Sequence, residues 1–286
     1  MNADAIERIL KHAQPKEFPD KTSYNSLSVK NISQLSKALG ISGREIEIMA
    51  LEHGVVPERY ARNMRAFSPQ DQVALLKARV SVVGLGGLGG GVLEILARIG
   101  IGRLNIIDGD SFEESNLNRQ FLSTPALMSK SKAEAGVQRV KTINPALEVS
   151  MHSRFLDADN SAQLLRDSDL CVDCLDNLKT RFVLERQCKQ LGSPLVSAAV
   201  AGASGQVTTV FPEDQGLKLI YGKEEENMPA KGAEVVLGTL PYTVTFLAAL
   251  QCAEVVKIIQ KKPGVLRHKL LVADLDDGVI DILNLS

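Results

Sequence analysis

Apolar residues recur at helical spacing over 3–12 and again over 31–53, with Pro15, Pro19 and the polar stretch 20–28 between them. Within the second run, Leu35, Leu39, Ile41, Ile46 and Met49 have the spacing of a helix–turn–helix. From Arg79 the pattern changes to short apolar runs alternating with longer amphipathic ones. Strands are predicted at 79–83, 104–107, 147–152 and 170–174, and helices at 88–99, 132–143, 161–167 and 179–191. Such alternation predicts an α/β fold: a doubly wound, Rossmann-like, mainly parallel sheet with right-handed crossovers. Beyond Pro194 the order differs. Strand-like runs at 194–199 and 206–211 precede a polar loop over 213–238 with the acidic run Glu224–Glu226. An apolar helix is predicted at 242–260, followed by a hairpin of 269–273 and 279–285 around Asp276, Asp277 and Gly278. The chain thus divides into a small helical extension, 1–58, and a main domain, 59–286, whose C-terminal strands are antiparallel.

Charge narrows the partners. Lys and Arg number 33 against 34 Asp and Glu, for a net charge of −1, so the basic surplus of a nucleic-acid binder is missing. The second helix of the helix–turn–helix, residues 42–53, carries Arg44 but also Glu45, Glu47 and Glu52, which phosphates repel. Packing or partner docking is the expected role of this segment. Four cysteines in 286 residues suit a reducing compartment rather than a disulfide scaffold. No unbroken apolar run reaches the roughly 18–20 residues of a membrane span, and MNADAIERILKHAQ lacks a signal-peptide core. A soluble cytoplasmic protein, with neither membrane nor nucleic acid as partner, is expected.

The run VVGLGGLGGG sets Gly84, Gly86 and Gly89 in a G-x-G-x-x-G pattern between a strand and a helix, with Gly87 inside it. Glycine lets the backbone turn tightly and approach a phosphate, while the following helix offers unpaired N–H groups. Asp108 ends the next strand, where a carboxylate can accept from ribose hydroxyls. The pattern indicates a nucleotide but leaves NAD, FAD and ATP open.

Downstream, DGDSFEESNLNRQF, Lys132 and DCLDN followed by Thr180-Arg181, together with RYARN at 59–63, resemble the ThiF/MoeB/HesA family, bacterial relatives of ubiquitin-activating enzymes. The resemblance implies an adenylyltransferase that uses ATP and Mg²⁺ to activate the C-terminal Gly-Gly carboxylate of a ubiquitin-like sulfur carrier (ThiS- or MoaD-like), in thiamine- or molybdopterin-type metabolism. Acyl adenylation needs no general base, because the nucleophile is already a carboxylate; its barrier is anion against polyanion, lowered by cations and positioning. Arg119 can bridge phosphate oxygens and Lys132 can add a point charge. Asn116 and Gln120 can complete the phosphate and metal surroundings. Asp176, just past a strand end, suits Mg²⁺ with Asn177 in support, although an Asp there also suits a helix N-cap. By resemblance, Asp108 takes the ribose, Asp110 borders the site, and Arg62 enters the active site of a homodimer partner. Plain surface exposure is the competing reading of Arg62.

Relatives of this kind carry two C-x-x-C pairs for zinc. Here the sole C-x-x-C is Cys171–Cys174, whose side chains a strand would send to opposite faces, so no zinc site is expected. Residues 213–240 contain no cysteine, which leaves adenylation without a thioester or persulfide route through that loop. Two alternatives stand beside the leading function. One is adenylation of a peptide or RNA-linked carboxylate, suggested by the 58-residue extension; the other is a nucleotide-binding regulator without catalysis.

Overall fold

The computed structural model describes residues 2–222 and 232–285, so Glu224–Glu226 and the middle of the predicted polar loop lie outside the described residues. The chain starts with α1 (Asn2–His12), β1 (Gln14–Glu17), β2 (Ser23–Leu27), α2 (Val29–Leu39), α3 (Gly43–Glu52) and β3 (Val55–Pro57). The predicted helical extension therefore also holds a three-stranded sheet in the order β1-β2-β3, antiparallel then parallel. Every residue of β1 is exposed and one is Pro15, so no apolar alternation marks it as a strand. The predicted helix pair is present, and its break is chemical. Gly40 ends α2 at φ +68°, and Ser42 with Glu45 closes a capping box on α3.

That second helix is not a free recognition surface. Ile46 and Ala50 pack with Ile9, Leu27, Ile32, Leu35 and Val55, whereas Ile48 and Leu51 join the core of the main domain. Arg44 is buried and pairs with Glu148 at 2.9 Å. Of α3, only Glu45 and Glu52 are exposed, and these would repel a phosphate backbone. The first 58 residues thus have a small core of their own, and α3 joins it to the core of the main domain.

The main domain continues with α4 (Pro69–Lys77), β4 (Arg79–Val83), α5 (Gly87–Ile99), β5 (Arg103–Ile107), α6 (Lys132–Ile143), β6 (Glu148–His152), α7 (Ser161–Leu165), β7 (Leu170–Asp173), α8 (Leu178–Leu191) and β8 (Leu195–Ala201). It ends with β9 (Ser204–Val210), α9 (Lys218–Tyr221), α10 (Glu234–Leu237), α11 (Pro241–Ile259), β10 (Lys269–Asp274) and β11 (Val279–Asn284). Among the described residues the large sheet has the order β11-β10-β9-β8-β7-β4-β5-β6. Strands β8, β7, β4, β5 and β6 are parallel; β9, β10 and β11 extend the sheet antiparallel. The chain runs outward from β4 through β5 to β6 and returns on the other side at β7, which places a topological switch point between β4 and β7.

The two sheet faces bury different sets. Val80, Val82, Leu104, Ile106, Val172 and Cys174 face the larger core with α5, α6 and α11. Val83, Ile107 and Cys171 face α7 and α8 with Phe182, Leu184 and Cys188. Cys171 and Cys174 thus lie on opposite faces, as strand alternation requires. Helix α11 is long and apolar enough by length and composition to cross a membrane, yet half of it is buried within the molecule. Its Glu254 is also buried, where it accepts hydrogen bonds from the Thr209 hydroxyl and the Leu266 N–H at 2.8 and 2.7 Å. The described parts of the predicted loop 213–238 are more ordered than expected: they form α9 and α10, and Leu217 is fully buried.

Candidate functional site

At the switch point the carboxyl ends of β4, β5 and β7 and the far half of β8 surround a cavity of about 780 Å³. Its first wall is the glycine turn. Gly84 stands at φ +90°, and a Cβ there would lie 2.6 Å from the Cys174 carbonyl oxygen. A Cβ on Gly89 would lie 1.8 Å from the Gly84 carbonyl oxygen, so α5 can approach the turn only because residue 89 has no side chain. Gly86 is the N-cap of α5 and supplies no side-chain hydrogen bond, which leaves the first N–H groups of the helix for a ligand.

The second wall follows β5. Asp108 accepts from the Leu85 N–H at 2.5 Å and from the Asp110 N–H at 2.7 Å, which ties it to the glycine turn. Burial pushes its carboxyl above the ordinary carboxylate range despite those bonds. Lys132, the first residue of α6, is buried; its Nζ lies 3.1 Å from Asp110 Oδ2 and its N–H donates to the Asp110 carbonyl at 3.0 Å. Arg119 rests on its own turn, donating from Nη1 to the Ser115 carbonyl at 2.9 Å and to Asn118 Oδ1 at 2.8 Å. Asn116 accepts from the Glu113 N–H at 3.1 Å. Gln120 is buried, and its Oε1 has no hydrogen-bond partner among the described residues.

The third wall is the turn after β7. Asp176 is exposed to the cavity, and Leu175, Cys174 and Arg181 line the same region. Across from it stand Ala199, Val200 and Ala201 of β8 and Ser204, Gly205 and Gln206 of β9. Gln206 Nε2 donates to the Tyr221 hydroxyl at 2.9 Å to form one lip. Arg154 and the exposed ring of Phe155 form another, beside Gly109.

Of the residues singled out from the sequence, Gly84, Gly86, Gly87, Asp108, Asp110, Asn116, Arg119, Gln120, Lys132 and Asp176 meet in this cavity. Three do not line it. Gly89 serves the packing behind the turn. Asn177, expected beside the metal, is the N-cap of α8, where its Oδ1 accepts from the Thr180 N–H at 3.0 Å. The cap that sequence reasoning offered to Asp176 thus belongs to its neighbour, which leaves the Asp176 carboxylate uncommitted. Arg62 is exposed and sits outside the cavity, between β3 and α4. Arg181, Arg154 and Phe155 were given no role from the sequence. For Arg181 the available signal was its place four residues after DCLDN; the others carry none. All four cysteines are buried, and no group of three or more His, Cys, Asp or Glu among the described residues could hold a metal ion.

The model of the ThiF family matches residues 60–285. The chain is 34% identical over 224 residues to the SAMP-activating enzyme E1 of Haloferax volcanii, covering 77% of this chain and 82% of that protein. It is 34% identical over 251 residues to the adenylyltransferase and sulfurtransferase MOCS3 of Drosophila yakuba, covering 86% of this chain. There it spans only 54%, about half the length of that relative. Among solved structures, E. coli MccB with ATP superposes with a TM-score of 0.69 at 22% identity, covering 100% of this chain and 87% of that one, a likeness of fold. The family match spans the whole cavity-bearing sheet, from the residue after Arg59 to β11: the chain belongs to the ThiF family.

Proposed function

We propose that this protein is an ATP-dependent adenylyltransferase that activates the C-terminal carboxylate of a small ubiquitin-like sulfur-carrier protein. As a ThiF-family protein related to E1 and MOCS3 enzymes it is an adenylyltransferase. The observation that carries the reading is the meeting of a glycine turn, Arg119, Lys132 and an uncommitted carboxylate, Asp176, in one cavity. A carboxylate oxygen attacks the α-phosphorus of ATP, the bond from that phosphorus to the bridging oxygen breaks, and pyrophosphate leaves with the electron pair. No proton has to be removed from the nucleophile. What the protein must supply is positive charge and alignment.

In this reading the glycine turn and the α5 N-terminus take phosphate oxygens, and Asp108 takes the ribose. Lys132 exchanges Asp110 for phosphate, and Arg119 bridges phosphate oxygens with its remaining donors. The orphan Oε1 of Gln120 suits a hydroxyl or a water rather than a phosphate oxygen, since it can only accept. A hard cation fits the oxygen donors present: Mg²⁺ is held by one or two carboxylates plus substrate phosphates, and Asp176 is such a carboxylate. When bound there, Mg²⁺ supplies charge neutralisation on the triphosphate. Arg62, outside its own cavity, acts in the site of a homodimer partner. A cytoplasmic setting, where the four thiols stay reduced, belongs to the same reading.

A second reading keeps adenylation and changes the acyl donor to a peptide or RNA-linked carboxylate. It is favoured by the first 58 residues, which add a sheet with the fully exposed edge strand β1. Exchange of labelled pyrophosphate into ATP separates the two. Exchange that requires a Gly-Gly-terminated carrier is the expected result; exchange with short peptides alone moves the assignment to the second reading. ATP binding without exchange for any acceptor removes both.

A further inference from the structure

Among the described residues no hydrogen bond holds the Asp176 carboxylate, so its position depends on the backbone from 173 to 177. Four groups fix this backbone. Asp173 Oδ1 accepts from the Leu175 N–H at 3.0 Å. Gln251 Nε2, from α11, donates to the Asp173 carbonyl at 2.8 Å. Asn177 caps α8. The fourth group is Arg181, one turn into α8 and 4% exposed. From Nη2 it donates to the Leu175 carbonyl; from Nη1 it donates to the Ala198 carbonyl at 2.7 Å and to Asp173 Oδ2 at 3.0 Å, with the Ser197 hydroxyl at 3.3 Å. The Ser197 hydroxyl donates to Asp173 Oδ2 at 2.6 Å and completes the set.

Leu175 and Ala198 belong to different walls of the cavity. The first precedes Asp176; the second precedes the β8 segment Ala199–Ala201 on the opposite side. We propose that Arg181 is a positioning residue: one planar guanidinium, bonded to both carbonyls, sets the distance between the Asp176 carboxylate and the β8 wall across the cavity. The proposal rests on the reading of Asp176 as the Mg²⁺ ligand. Lysine cannot replace this arrangement. An ammonium is a compact point donor, whereas the fork reaches the two walls and Asp173 together. Groups that orient a metal-binding carboxylate through its surroundings have the character of an outer ligand shell, whose loss costs about 10–100-fold in metal affinity or activity.

The test is Arg181→Lys, with metal affinity read directly. Mn²⁺ is titrated by electron paramagnetic resonance into the protein saturated with α,β-methylene-ATP, and cooperative thermal melting establishes that the variant is folded. Binding of the nucleotide analogue in EDTA is expected to match the wild type, while Mn²⁺ affinity in the ternary complex falls about 10–100-fold. A folded Arg181→Lys with wild-type Mn²⁺ affinity overturns the proposal. If that variant does not fold, Asp173→Asn combined with Arg181→Met removes both buried charges at once and takes its place, with the same expected loss. Asp176→Asn separates the two levels. Loss of Mn²⁺ there with full affinity in Arg181→Lys removes the Arg181 proposal alone. Full affinity in both removes the metal reading as well, and loss in Arg181→Lys alone shows that it does not act through Asp176.

Discussion

Glu47 lies on α3, fully buried, with the Tyr60 hydroxyl donating to its Oε2 at 3.0 Å and Arg59 Nε 3.3 Å from its Oε1. Neither Oε1 nor Nε completes a hydrogen bond, so burial outweighs the nearby cation and pushes the carboxyl up to about 7. The folded state therefore keeps a proton that the unfolded chain releases near pH 4.3. Stability is greatest below the unfolded value and falls as pH rises through about 7, by roughly 3–4 kcal/mol. Urea unfolding at pH 5 and pH 8 should show this loss in the wild type and a much smaller one in Glu47→Gln, which keeps a partner for Tyr60. Equal losses in both would assign the pH dependence elsewhere. None of this was visible in the sequence, where Glu47 was one of three acids arguing against DNA. Single residues were legible where they carry a backbone requirement, as Gly84 and Gly89 do. They were illegible where neighbours divide the labour, as when Asn177 took the cap and left Asp176 free.

At the level of elements, the strand–helix alternation from 79 to 191 predicted the parallel half of the sheet, because buried strands and amphipathic helices have different apolar periods. The fit of β4, the turn and α5 is tight enough to be tested by one carbon atom. Gly89→Ala would set a methyl 1.8 Å from the Gly84 carbonyl oxygen, so α5 must shift away from the turn. Overpacking of this kind costs about 1–3 kcal/mol. The larger expected effect is on ligand binding: ATP should raise the melting temperature of the wild type but not of Gly89→Ala. An ATP-induced shift retained in the variant would take the glycine turn out of the nucleotide site. The short exposed strands of the N-terminal sheet were not legible, since β1 is Gln-Pro-Lys-Glu and its partners lie elsewhere in the chain. Pairing between strands is a tertiary event, and a strand without an apolar face leaves no trace in the local pattern.

At the level of the whole molecule, Arg62 stands exposed and outside its own cavity, so its expected role requires a second copy. Mixing Arg62→Ala with Lys132→Ala, each inactive alone in pyrophosphate exchange, should restore roughly a quarter of wild-type turnover, because about half the dimers are mixed and each then has one whole site. Failure to recover any turnover would make the site self-contained within one chain. The sequence by itself determined the α/β alternation, the glycine turn, and ten of the residues that line the cavity. These follow from local rules: period, backbone freedom and the spacing of charged residues around strand ends. Only the tertiary structure decided that α3 joins the small N-terminal core to the main one, that α11 is a core helix, and that Arg181 ties the Asp176 turn to β8. Those outcomes depend on which surfaces exclude water together and which buried carbonyls need a donor, and residues far apart in the chain settle both.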